Sequence, residues 1–76
     1  MKKELHRLLP GQRGVIQEVQ GRGLSRRRIL DLGMVPGTLV EVMRRSPLGD
    51  PVAYQVRGTI IALRQDEASQ ISVTTC

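Results

Sequence analysis

The chain has 76 residues, with twelve Lys or Arg against seven Asp or Glu, one Tyr, and no Phe or Trp. A chain this short makes one small domain (residues 1–76) that buries only about 60% of its unfolded surface, so its core must be simple and built from Val, Ile, Leu and Met. Apolar residues at 39% exclude a disordered chain, and no stretch nears the roughly 20 apolar residues that span a bilayer.

Pro10-Gly11 is the first turn signal, and Leu8 and Leu9 just before it are expected to dock on the core. Val15 to Val19 has strand composition, but its apolar positions 15, 16 and 19 do not alternate, which predicts a bulge. Ser25 to Leu32 is the first helix, with Ser25 as N-cap and Gly33 and Pro36 as the stop. Ile29 and Leu32 share a face of it; Leu30 projects elsewhere and is either covered by a second surface or left partly exposed.

Thr38 to Arg44 alternates, with Val40 and Val42 on one face and Leu39, Glu41 and Met43 on the other. Pro47 and Pro51 then clamp Leu48-Gly49-Asp50 into a rigid protruding loop, since each fixes its own φ and restricts the residue before it. Val52 to Arg57 alternates again, Arg57-Gly58 is a hairpin turn, and Thr59 to Arg64, apolar on both faces, predicts a strand covered on both sides. Gln65 to Gln70 fits one helical turn, and Ile71 to Val73 is a last strand. About five strands, a short helix after the first and a helical turn before the last make a mainly β fold, a small SH3-like antiparallel barrel, partly open.

Charge is regional. Residues 1 to 28 carry eight Lys or Arg against Glu4 and Glu18, whereas the remainder carries four Arg against five acids. Arg26, Arg27 and Arg28 point about 100° apart on a helix and form no single stripe. They read either as a solvated face, with Arg27 pairing Asp31, or as a contact with an acidic protein surface or anionic lipid headgroups. Stable nucleic-acid binding is not expected, because single-strand recognition needs aromatic platforms and Tyr54 stands alone.

No catalytic set is present: there is no Ser, His and acid constellation, Asp66 and Glu67 are adjacent, and Gly21-x-Gly23 lacks the rest of a phosphate cradle. No enzyme activity and no cofactor are expected. No metal site is expected either, since His6 reads as a surface residue, Cys76 as the free terminus, and no paired ligand motif joins them. A lone cysteine cannot staple the chain, and the basic N-terminus lacks the apolar run of a signal peptide, so a cytosolic protein is expected.

Turn chemistry accounts for Pro47, Gly49, Asp50 and Pro51 but not for Leu48 at the tip. Leu48 either folds back on the core or anchors a partner. Leu24 and Leu30 flank the arginines and could widen a contact surface.

Arg28-Ile29-Leu30-Asp31-Leu32-Gly33-Met34-Val35-Pro36-Gly37-Thr38 resembles the Arg-Leu-Leu-Asp/Glu-Leu-Gly-Leu-x-Pro-Gly-Thr segment of the FeoA family. Pro47-Leu48-Gly49-Asp50-Pro51, then Val56-Arg57-Gly58, Ala62-Leu63-Arg64 and Glu67-Ala68, match its second half in order and approximate spacing. Leu5, Leu8 and Gly11 with Ile16 and Val19 fit its front, and the departures are Ile29 and Met34 where leucine is usual. The resemblance implies an SH3-like barrel working in the cytoplasm, at the inner face of the membrane, with the FeoB-type ferrous iron transporter. It also implies family-level association with iron and other transition metals. The expected contact residues are Leu24, Arg27, Arg28, Leu30, Leu48 and Asp50, with Gly33, Pro36, Gly37, Pro47, Gly49, Pro51 and Gly58 shaping turns. Homo-oligomerisation stays open. The alternative is a stand-alone regulatory barrel related to the C-terminal domain of DtxR-type iron-dependent repressors, acting on a transcription factor or nucleic acid.

Overall fold

The computed structural model describes residues 2–75; Cys76 lies outside them. Six strands run β1 (Lys2–Glu4), β2 (Arg13–Val19), β3 (Leu39–Arg45), β4 (Val52–Val56), β5 (Thr59–Leu63) and β6 (Ile71–Thr75). A 3₁₀ turn, Leu5–Arg7, follows β1; helix α1 (Gly23–Asp31) follows β2, and the single turn α2 (Gln65–Ala68) precedes β6. All pairings are antiparallel, in one sheet of order β1-β6-β2-β3-β4-β5.

The expected five strands are joined by a sixth, β1, which pairs with β6 through Lys2↔Thr74, Lys3↔Val73 and Glu4↔Ser72. Three charged residues carry no strand periodicity, so long-range pairing creates this element rather than local preference. β2 has the predicted bulge. Its register against β6 shifts between Ile16 and Glu18, which lets Ile16 and Val19, three residues apart, both face inward.

Val40, Val42, Val52, Tyr54, Val56, Ile71 and Val73 point into the core as their alternation predicts. Of the Leu8-Leu9 pair only Leu8 docks, because adjacent side chains in extended chain diverge; Leu9 is 60% exposed. Arg45 holds this entry segment, its Nη2 donating to the carbonyls of His6 (3.2 Å) and Leu8 (2.9 Å). Charged hydrogen bonds of this kind contribute about 1.5–3 kcal/mol each. Arg45→Ala is expected to lower stability by about 2–3 kcal/mol in urea unfolding, with an unchanged denaturant slope.

β5 departs from expectation. Ile61 and Leu63 are buried, but Ile60 is 56% exposed and Ala62 is also exposed. The strand lies at the edge of the sheet beside β4 alone and is covered on one face.

Helix α1 begins earlier than predicted, with Arg22 as N-cap and no side-chain cap. Ser25 therefore sits inside the helix, where its hydroxyl meets the Gln70 side chain at 3.4–3.5 Å. The helix stop is as expected, and its bonds explain it. Met34 N–H donates to the Ile29 carbonyl (3.3 Å) and Gly33 N–H to that of Leu30 (3.0 Å), with Gly33 at φ +93°, a Schellman motif. Its apolar partners, Ile29 and Met34, are both fully buried, whereas Leu32 is exposed rather than sharing Ile29's environment. Pro36-Gly37 then turns the chain into β3, Thr38 N–H donating to the Val35 carbonyl at 3.1 Å.

Candidate functional site

The β3–β4 connection is built by its prolines and glycine as anticipated. Pro47 and Leu48 occupy the middle of a turn closed by Gly49 N–H to the Ser46 carbonyl (2.7 Å), with Gly49 at φ +89°. Ser46 closes the base, its N–H and hydroxyl both donating to the Pro51 carbonyl at 3.2 and 2.7 Å, and the Asp50-Pro51 peptide is cis. Leu48 does not fold back: it is 95% exposed at the tip.

Asp50 has a role that its position in the turn did not announce. Its Oδ1 accepts the backbone N–H of Gln65 at 2.8 Å, fastening the loop to the first residue of α2. From the other side Arg28 of α1 forms an ion pair with Glu67, and Ser25 meets Gln70. Glu67 also closes α2 on itself, its Oε1 accepting the Arg64 N–H at 3.1 Å. The one-turn helix α2 is thus a clasp between α1 and the loop.

The candidate residues divide on this frame. Leu24, 85% exposed at the start of α1, and Leu48 are apolar side chains in open solvent. Arg27 is exposed and lies 3.8 Å from Asp31, a helix-surface pair of the expected i, i+4 kind. Arg28 and Asp50 are engaged with α2, and Leu30 is half-buried against the core, so of its two readings it is the one left partly exposed. Arg26 donates to the Val19 carbonyl at 3.2 Å and so braces α1 on β2.

Among the described residues, no three His, Cys, Asp or Glu side chains gather as a metal site would require. His6, expected at the surface, is instead half-buried, with Nδ1 enclosed and without a hydrogen-bond partner and Nε2 3.9 Å from Glu4. Among these residues, too, no helix is long and apolar enough to cross a membrane.

Comparison with known proteins places this geometry. The chain matches the FeoA domain over residues 3–75. It is 41% identical over 70 residues to the Fe(2+) transport protein A/Fe(2+) transporter FeoB fusion protein of Porphyromonas gingivalis, covering 92% of this chain and only 8% of that protein. The solution structure of FeoA from Chlorobium tepidum superposes with a TM-score of 0.89 at 36% identity, over 96% of this chain and 70% of that one. Stenotrophomonas maltophilia FeoA, an SH3 domain protein crystallised with zinc, superposes at 0.83 with 32% identity, over 97% and 89% of the two chains. The six-stranded sheet is accordingly SH3-like, and the chain belongs to the FeoA domain family, which is tied to ferrous iron transport.

Proposed function

We propose that this domain docks on the cytoplasmic side of a FeoB-type ferrous iron transporter and modulates it by binding, without chemistry of its own. The observation that carries the reading is the P. gingivalis relative, in which a FeoA domain and a FeoB transporter share one polypeptide. Such a tether raises the local concentration of one part at the other and is useful where the two touch. Leu24 and Leu48 are the anchors of the contact, and Arg27 is its charged rim. Arg28 and Asp50 serve the same surface by holding α1 and the loop to α2. The basic N-terminal third suits a site near the anionic inner face of the membrane, reached through the partner.

The test is a pull-down of full-length transporter with wild-type protein and with Leu24→Glu/Leu48→Glu. Both positions are exposed, so the double variant keeps the wild-type circular dichroism spectrum. Two lost anchors at about 2 kcal/mol each correspond to a loss of affinity of several hundredfold or more. Arg27→Glu is expected to weaken binding less and to lower its salt dependence. A folded double variant that binds like wild type would remove the assignment.

A further inference from the structure

Among the described residues the sheet has two unpaired edges, β1 and β5, and they are built differently. β1 is three residues long and wholly charged, Lys2-Lys3-Glu4. Short length and charge are the usual means of keeping an edge from pairing with another chain. β5, Thr59-Ile60-Ile61-Ala62-Leu63, has no charge, no proline and no register shift against β4. Such a segment is a template for strand addition.

The hairpin fixes which backbone groups the edge offers. Val56 and Thr59 flank the two-residue turn Arg57-Gly58, with φ of +51° and +79°, as in a type I′ turn, and form the closing hydrogen-bonded pair. Alternation from there turns the N–H and C=O of Thr59, Ile61 and Leu63 toward β4 and those of Ile60 and Ala62 away from it. Ile60 and Ala62, the two residues with free backbone groups, also have exposed side chains.

We propose that β5 pairs antiparallel with β5 of a second copy of this chain, about a two-fold axis at Ile61. In that register Ile60 of one copy faces Ala62 of the other twice over. Each such pair exchanges two N–H···O=C bonds and sets a large side chain beside a small one. The ends are complementary in charge. Arg57 has no carboxylate partner among the described residues, its Nη2 resting 3.4 Å from the Thr38 hydroxyl. The two-fold axis brings the Arg57-Gly58 turn of one copy to the hollow that Asp50, Arg64, Gln65, Asp66 and Ser69 form in the other. Asp50 and Asp66 make no ion pair there and outnumber Arg64. A single five-residue edge buries less than the ~1,200 Å² of a stable interface, so the dimer is weak and dissociates on dilution.

Sedimentation of the full chain from dilute to near-millimolar concentration tests this, together with amide hydrogen exchange. The expected result is a monomer–dimer equilibrium in which only the Ile60 and Ala62 amides gain protection with concentration. Ile60→Lys and Ala62→Pro should each weaken dimerisation at least about tenfold. The proline removes an N–H that β4 does not use, so both variants keep the wild-type monomer spectrum. A monomer at every concentration overturns the proposal, as does a dimer that survives both substitutions. Amides of Ile60 and Ala62 that gain protection only when transporter is added also overturn it and give the edge to the transporter.

Discussion

Ile29→Ala is expected to cost about 2–5 kcal/mol, a large part of the roughly 4–11 kcal/mol that a domain of this length holds in all. Ile29 is the one fully buried residue of α1, and it packs with Met34 across the Schellman turn that ends the helix. Truncation opens a cavity there, and β2 and the short α2 cannot close it without giving up the Arg26–Val19 and Arg28–Glu67 contacts. Urea unfolding reads the loss as a lower midpoint, and amide exchange reads it as faster opening at Leu32, Gly33 and Met34. Leu24→Ala, on the same helix but in solvent, should change stability by no more than about 0.5 kcal/mol. Equal effects at the two positions would contradict the packing described.

The second large effect is alkaline. Burial pushes the Tyr54 phenol up to about 12 from its ordinary 10; the charge of Arg45 pulls it down and the Asp50 carboxylate adds to the rise. Because the folded chain favours the neutral phenol, the associated stability is complete below pH 10 and is lost as pH rises from about 10 to 12. Two pH units correspond to about 3 kcal/mol. Tyr54 is the sole aromatic residue, so the phenolate absorbance of the native protein reports this group alone. Folded protein should resist ionisation until near pH 12, and Tyr54→Phe should flatten the fall in urea midpoint over that interval. Titration of the native phenol at its ordinary pH would refute the burial argument.

Most of the fold is legible in the sequence because it is written in local chemistry. Alternation marks the inward faces of β3, β4 and β6, and the missing alternation at 15, 16 and 19 marks the bulge of β2. Gly33, Gly37, Gly49 and Gly58 each stand at a positive φ that closes a turn. What escapes is set by distant partners. β1 exists through β6. The two-sided apolar pattern of β5 points to a covered strand because sequence cannot say where the sheet ends, and Ser25 resembles a cap because its Gln70 partner lies 45 positions away.

The proposed contact surface is half-legible on the same grounds. Leu48 is out of place in a turn and does stand in solvent, and Leu24 stands there as well. The bonds of Asp50 and Arg28 to α2, 15 and 39 positions along the chain, leave no trace in either segment. Arg45 is likewise silent, since its two acceptors are backbone carbonyls that any residue would supply.

The clasp formed by α2 makes two separate patches behave as one object. A four-residue helix cannot stand unaided, so the loop that ends in Leu48 and the helix that begins near Leu24 are steadied by a common and fragile joint. If the proposed contact forms at both, stiffening one of these patches lowers the entropy left to lose at the other, and the second contact comes more readily than the first.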